Sequence, residues 1–354
     1  MTDINEALLD PALEQFLRSE VVKQYNRSSV SSDLIRKEPG MGKNLAWDIS
    51  VGTATGQVFD DGQVISTFNA DQELQCNLPW CEYGDTFKLT GRAEDAAQFS
   101  RTDLGRTFFY KMNQARERGA AKLNGDLYTG LGTTGPNVLK GLLSTQGALD
   151  VTGVYAGQDK GTFTQWQGTK LANGGIPRAL HLSLIEYGFE LSFNASGKTP
   201  TFGVTTANLW RRLCELVDDD KRVNIDTIMR GETLTMKLGY NAVEVNGVPV
   251  FKDISMPAGN LVFFHEPSIA WEYLPAAASR IERGKIIATV PFAGLPQEQV
   301  MEGAPASGGP LVANVISLPS GGNFESWMVD ATCGIKVTRP NAHIWITDLS
   351  FRAN

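Results

Sequence analysis

Between residues 93 and 130, Leu104, Phe108, Met112, Ala115, Gly119 and Leu123 recur at steps of three and four. That spacing places them on one face of an α-helix at about 100° per residue. Ser100 stands where an N-cap is expected, with Asp103 three residues on, and Asn124-Gly125 followed by Gly130 supplies stop signals. The predicted helix runs about seven or eight turns, where about three is usual. Gly105 and Gly119 fall on its apolar side although each costs about 1 kcal/mol relative to alanine, which points to a close neighbour there.

Ahead of this helix the period changes from 3.6 to 2. Leu45, Trp47, Ile49 and Val51 alternate with polar or small residues, and Leu74, Cys76 and Leu78 repeat the pattern, as half-buried strands do. Asp60-Asp61-Gly62 lies between them as a turn signal, so residues 44–92 read as a long β-hairpin. A two-stranded hairpin alone in water is marginal. It needs a surface, and the pattern does not say whether that surface belongs to the same chain or to a neighbour. Residues 1–43 read as an arm: Leu8, Leu9, Ala12, Leu13, Phe16 and Leu17 are helically spaced, and Ser28 to Ser32 break the pattern. That apolar surface is too small for a core of its own.

After the helix, residues 130–175 are rich in Gly and Thr and read as loops and short strands. A helix is predicted from Pro177 to Leu191, then a compact α/β unit: strand 201–205, helix 207–217, and strands 242–245, 248–252 and 261–264, with Asn246-Gly247 as a hairpin turn. Residues 285–290 read as a further strand, 294–322 as a Gly/Pro-rich loop, and 327–338 and 343–349 as two closing strands. These return most simply to the layer that carries the long helix, which makes the α/β unit an insertion in an α+β fold.

Composition narrows the function. The 354 residues are 42% hydrophobic and 20% charged, ordinary for a folded protein with a sizeable core. No apolar run reaches the length of a membrane-spanning helix, and the acidic first ten residues do not read as a secretory signal. The net charge of −7 argues against a surface that grips nucleic acid throughout. Residues 44–92 carry a net charge of −5 and residues 93–125 a net charge of +2, so an acidic segment precedes a basic helix.

Catalytic and metal chemistry find no motif. His181, His265 and His343 lack ligand spacing, and Cys76, Cys81, Cys214 and Cys333 fit neither a zinc knuckle nor a redox pair, so reduced, packed thiols are expected. Two Gly-Lys phrases, Gly42-Lys43 and Gly197-Lys198, lack the rest of a phosphate loop, and no Gly-x-Ser-x-Gly occurs. Asp218-Asp219-Asp220 reads as a solvated helix end. The expectation is no enzyme, no cofactor and no metal, in a chain whose projections are completed by other copies of itself.

The order of arm, acidic hairpin, long helix, inserted α/β unit and returning strands resembles the major capsid proteins of tailed bacteriophages with the Hong Kong 97-type fold. The phrases that carry the resemblance are Leu78-Pro79-Trp80 before Lys88-Leu89-Thr90-Gly91, Leu127-Tyr128-Thr129-Gly130, Asn246-Gly247-Val248-Pro249-Val250 with Asp253, and Arg339-Pro340-Asn341-Ala342-His343. The resemblance implies an N-terminal arm at 1–43, an extension loop at 44–92 and a peripheral domain with its spine helix at 93–177. It further implies an axial domain at 178–324 and terminal strands, 325–354, that rejoin the peripheral domain. The implied function is a shell subunit around packaged double-stranded DNA, assembled in the host cytoplasm and resident in the virion. Implied partners are hexamers and pentamers of itself, a separate scaffolding protein, a portal protein and a decoration protein as an optional addition, with no membrane. An encapsulin-type compartment and, further off, a β-rich hydrolase or carbohydrate-binding enzyme are the alternatives. Some members crosslink an extension-loop lysine to a neighbour's asparagine. No lysine lies between Lys43 and Lys88 here, so non-covalent locking is expected.

One contact surface follows from the residues themselves. Lys111, Arg118 and Lys122 fall within about 40° of one another around the helix. The expectation is that Asp60, Asp61, Asp71 or Glu73 of the hairpin lies across this basic edge of an adjacent subunit, with Trp47, Ile49 and Val51 supplying most of the adhesion.

Overall fold

A computed structural model describes residues 30–50, 61, 73–90, 101–130, 138–217, 242–274, 286–293, 311–318 and 324–351. The expected arm helix at residues 8–17, the triple aspartate at 218–220 and most of the hairpin tip lie outside them.

The elements run α1 (Val30–Leu34), β1 (Arg36–Pro39), β2 (Asn44–Ser50), β3 (Glu73–Pro79), β4 (Cys81–Thr90) and the long helix α2 (Arg101–Thr129). Next come β5 (Val154–Tyr155), β6 (Gln158–Asp159), β7 (Thr169–Leu171), β8 (Arg178–Ala179), α3 (Leu182–Ser196), β9 (Phe202–Thr205) and α4 (Ala207–Leu216). The chain continues with β10 (Val243–Val245), β11 (Val248–Lys252), β12 (Leu261–Phe264), β13 (Ile269–Tyr273), β14 (Ile286–Ala293) and β15 (Leu311–Leu318). It closes with β16 (Phe324–Val337), β17 (Ile344–Ile346) and β18 (Leu349–Ser350).

Two six-stranded sheets organise these elements. The first has the order β1-β13-β16-β15-β14, with β4 also paired to β16. β16 is its axis, matched to β4 from Phe324↔Thr90 to Cys333↔Cys81. Gly84 lets the two strands approach, because a Cβ there would collide with the Val329 carbonyl oxygen. The second sheet has the order β10-β11-β9-β12-β17-β7. Asn246 and Gly247, at φ 51° and 81°, make the tight turn between β10 and β11 that needs positive φ at both positions. Thr206 caps α4 as its side chain accepts from the Leu209 N–H, and Leu209 and Leu213 pack with Val243, Val250 and Phe263 in a second core.

The partition differs from the expected one at five places. β1, expected in the arm at 1–43, pairs with β13 in the first sheet, and β7, expected in the peripheral domain at 93–177, joins the second. β13, β14 and β15, expected within an axial unit ending at residue 324, hydrogen-bond into the first sheet instead. β15 occupies part of the stretch expected to be loop, because alternate apolar residues Leu311, Ala313 and Val315 bury one of its faces. Of the closing strands, β16 joins the layer of the long helix, whereas β17 enters the second sheet between β12 and β7. Ile344 and Ile346 there are fully buried in the second core.

The two layers are tied by a buried polar junction. Asp253, at the end of β11, accepts from Ser31 Oγ at 2.6 Å, the Ser31 N–H at 3.3 Å and Tyr128 Oη at 3.0 Å. Its other oxygen accepts from the Ser255 N–H at 2.8 Å. Beside it Ser32 Oγ donates to Asn124 Oδ1 at 2.6 Å. One carboxylate thus joins α1, the C-terminal turn of α2 and the α/β unit. Burial pushes the Tyr128 phenol well above its ordinary value, and the nearby Asp253 carboxylate adds to this.

Candidate inter-subunit surface on α2 and β4

The apolar stripe of α2 lies on the first sheet. Phe108, Met112, Ala115, Leu123 and Leu127 are buried, and Phe108 meets Phe87 of β4 and Trp327 of β16 at centroid distances of 5.2 and 5.1 Å, both edge to face. Phe87 stacks on Trp327 at 5.5 Å. Helix and ladder are therefore locked by an aromatic triad, each pair worth about 0.5–1.5 kcal/mol beyond its buried area. The helix passes through Asn124-Gly125, expected as a stop, and ends at Thr129. Asn124 is buried there and bonded to Ser32.

The basic edge runs beside this stripe and faces β4 of the same chain. Lys111 Nζ donates to the Lys88 carbonyl oxygen at 2.8 Å, Arg118 Nε pairs with the Asp85 carboxylate, and Lys122 Nζ reaches Asp126 at 2.8 Å. Asp126 also accepts from Tyr83 Oη at 3.0 Å, and Tyr83 Oη accepts from the Leu139 N–H at 3.1 Å. Burial pushes the Tyr83 phenol up. Between strand and helix opens a cleft of about 250 Å³ whose lining includes Glu82, Tyr83, Asp85, Arg118, Lys122 and Asp126. The side chains of Arg118 and Lys122 stay 57% and 69% exposed, so both cations remain reachable from outside while held by acids from within.

The acidic segment and the basic helix do meet, but in one chain and through Asp85, which was not among the expected contact residues. The signal for Asp85 was present: it shares its parity with Cys81, Tyr83, Phe87 and Leu89, the face of β4 that is buried under α2. Among the expected partners, Asp61 and Glu73 are exposed, and Val51, Asp60 and Asp71 lie outside the described residues. Trp47 and Ile49 are buried by their own chain. β2 and β3 pair from Asn44↔Pro79 to Ser50↔Glu73, and their apolar face covers the first core. Trp47 sits 6.3 Å from the Tyr155 ring, the Asn77 N–H donates to the Ala156 carbonyl oxygen at 2.9 Å, and Gln158 Nε2 donates to the Gln75 carbonyl oxygen at 2.9 Å. The described part of the hairpin thus finds its supporting surface in the same subunit, and the adhesion expected of Trp47 and Ile49 acts within the chain.

Two further buried polar groups, His343 and Lys160, have structural roles. His343 Nδ1 accepts from the His265 N–H at 3.1 Å, and Nε2 lies 3.1 Å from Ser268 Oγ. Full burial pushes His343 down to about 3, so the ring is neutral and enclosed, without the access a nucleophile–base pair requires. Lys160, also fully buried, donates to the carbonyl oxygens of Gly147, Ala148 and Asp150 at 2.5–3.1 Å, and burial pushes it down to about 8. Among the described residues no group of three potential metal ligands occurs, and no helix is long and apolar enough to cross a membrane.

No family model matches the sequence, and no curated protein matches it either. Solved structures do. A chain of the cyanophage A-1(L) capsid asymmetric unit aligns with a TM-score of 0.67 at 15% identity, covering 92% of this chain and 94% of that one. The capsid of a native GTA particle aligns at 0.54 and 13% identity, covering 90% and 89%. The capsid of an empty GTA particle gives 0.54 and 12%, covering 90% and 88%. At these identities the likeness is one of fold.

Proposed function

We propose, from the Hong Kong 97-type capsid fold that this chain has, that it is the major shell subunit of a tailed bacteriophage. Copies assemble as hexamers and pentamers into an icosahedral particle around double-stranded DNA, with a separate scaffolding protein and a portal, and a decoration protein as an optional addition. The observation that carries the reading is the cyanophage capsid alignment, which leaves less than a tenth of either chain unmatched. The reading assigns no enzymatic step, and the enclosed Ser268–His343 pair supplies none. Residues 1–43 are the arm, anchored to its own subunit through α1 and β1.

The hairpin tip locks neighbouring copies without a covalent bond. Asp60, Asp61, Asp71 and Glu73 approach the outward side of Arg118 and Lys122 on the next copy, near Lys111, where Asp85 and Asp126 already hold the cations in place. Exposed ion pairs contribute about 0–1 kcal/mol each, so they set register. With Trp47 and Ile49 buried at home, adhesion across the boundary falls to Val51 and the arm.

Light scattering and electron microscopy of the purified protein, followed by nuclease-protected nucleic acid in the particles, test the reading. Shells enclosing DNA in infected cells are expected. A small discrete oligomer overturns it, and shells that hold protein cargo and no nucleic acid replace it with the compartment reading.

A further inference from the structure

Cys81 and Cys333 face each other on the last rung of the β4–β16 ladder. Directly opposed residues of an antiparallel pair project to the same side of the sheet, with Cα atoms about 4.5–5.5 Å apart, inside the range of about 4.4–6.8 Å that a disulfide spans. Both thiols are free and buried, at 3% and 1% exposure, and they are close enough that Cys81 is one of the groups that push Cys333 upward. The other two cysteines have no such match: Cys76 stands opposite Trp47 on β2, and Cys214 lies on α4 in the second core. The rung is also terminal. β4 begins at Cys81 directly after Pro79-Trp80, so the strand end can yield the small shift that bridging needs.

We propose that Cys81 and Cys333 form a redox-sensitive pair that closes into a cross-strand disulfide when the medium turns oxidising, tying β4 covalently to the central strand of the first sheet. The oxidant is a low-molecular-weight disulfide of the glutathione class. One cysteine thiolate attacks a sulfur of the oxidant, breaking its S–S bond and releasing one small thiol as a mixed disulfide forms. The second cysteine, giving up its proton, attacks the mixed disulfide at the protein sulfur and releases the second small thiol. Two protein thiols are oxidised by two electrons in total, and one small disulfide is reduced to two thiols. Burial pushes Cys81 up to about 12, so the folded pair exchanges slowly in a reducing cytoplasm, and the same burial then shields the closed bridge from reductants. The bridge closes a loop that contains α2 and every strand of the second sheet except β17.

The test uses the full chain, unfolded in guanidinium with dithiothreitol and refolded in buffers of graded oxidised-to-reduced glutathione ratio, so that slow exchange in the folded state does not mask the equilibrium. Iodoacetamide quenching and non-reducing peptide mass spectrometry then read the linkage. The expected result is one crosslinked peptide pair joining Cys81 to Cys333, with two alkylated cysteines in place of four and reversal by dithiothreitol. Cys81→Ser abolishes the linked pair, whereas Cys76→Ser and Cys214→Ser keep it. For protein that refolds poorly, the native chain is held for days with oxidised glutathione in denaturant below its unfolding transition, and the same peptide pair is sought. Four alkylated cysteines at the most oxidising ratio, or a bridge joining any other pair, overturns the proposal.

Discussion

Arg118 on α2 and Asp85 on β4 form an ion pair inside one subunit, so the charge complementarity between the acidic segment and the basic helix operates first within the fold. Their side chains are 57% and 31% exposed, and solvent screens such a pair to about 1 kcal/mol or less. Arg118→Glu is expected to lower unfolding stability by no more than about 1 kcal/mol, and adding Asp85→Arg restores it. Chemical denaturation of the four proteins of this double-mutant cycle measures the coupling, and a coupling of several kcal/mol would show that the pair is a structural clamp.

Assembly is the more sensitive readout for the rest of the basic edge. Lys111→Glu combined with Lys122→Glu is expected to impair particle formation, read by light scattering, while the subunit's unfolding midpoint stays close to wild type. Basic substitutions at Asp60, Asp61, Asp71 or Glu73 rescue assembly. Unimpaired assembly in the double variant removes this pairing from the account.

The aromatic triad helps to seat the helix on the first sheet. Phe108→Ala empties the space beside the stacked Phe87 and Trp327 rings and is expected to cost about 3–5 kcal/mol, read as a shift in denaturant midpoint. Phe108→Leu keeps most of the volume and costs less.

At the junction, removing the acceptor is worse than removing one donor. Asp253→Ala leaves Ser31 and Tyr128 buried without their shared acceptor and is expected to cost about 1–3 kcal/mol for each donor left unsatisfied. Tyr128→Phe removes the phenol's bonds to Asp253 and to Ser31 Oγ but leaves the carboxylate its Ser31 and Ser255 donors, and costs about 1–2 kcal/mol. Equal losses would show that the carboxylate is not the centre of the network.

His343 makes stability fall on acidification. Its pKa in the folded chain, about 3, lies below the ordinary 6.5, so between those values the unfolded chain binds a proton that the folded chain does not. Stability is then fully present above about pH 6.5 and declines toward pH 3, with a slope of at most about 1.4 kcal/mol per pH unit from this group. His265 shifts in the same direction and adds a smaller share. Urea unfolding from pH 7 to pH 4 on wild type and His343→Gln checks this, and the variant's profile is expected to be the flatter.

Local pattern carried much of the fold. The 3.6-residue spacing of Phe108, Met112, Ala115 and Leu123 picked out α2 and its buried face, and the period of 2 placed β2 and β3 with Leu45, Trp47 and Ile49 inward. Asn246-Gly247 located a hairpin whose strand β11 has the expected limits. These features are legible because each depends on neighbours within a turn or a strand, where geometry ties spacing directly to burial.

Partners distant along the chain were decided only by the tertiary structure. Periodicity shows that Asp85 and Tyr83 share a buried face but not that Arg118 and Asp126 await them there, and the short Ile344–Ile346 run suits either sheet equally well. Pairing β17 with β12, joining Asp253 to Ser31 across 222 residues, and laying Trp47 on its own subunit each depend on which surfaces remain uncovered once the rest has packed. A hydrophobic stripe requires burial without naming the surface that buries it, because apolar attraction has no direction. Only the register of β16 against β4 and the shape of the layer beneath α2 make that choice.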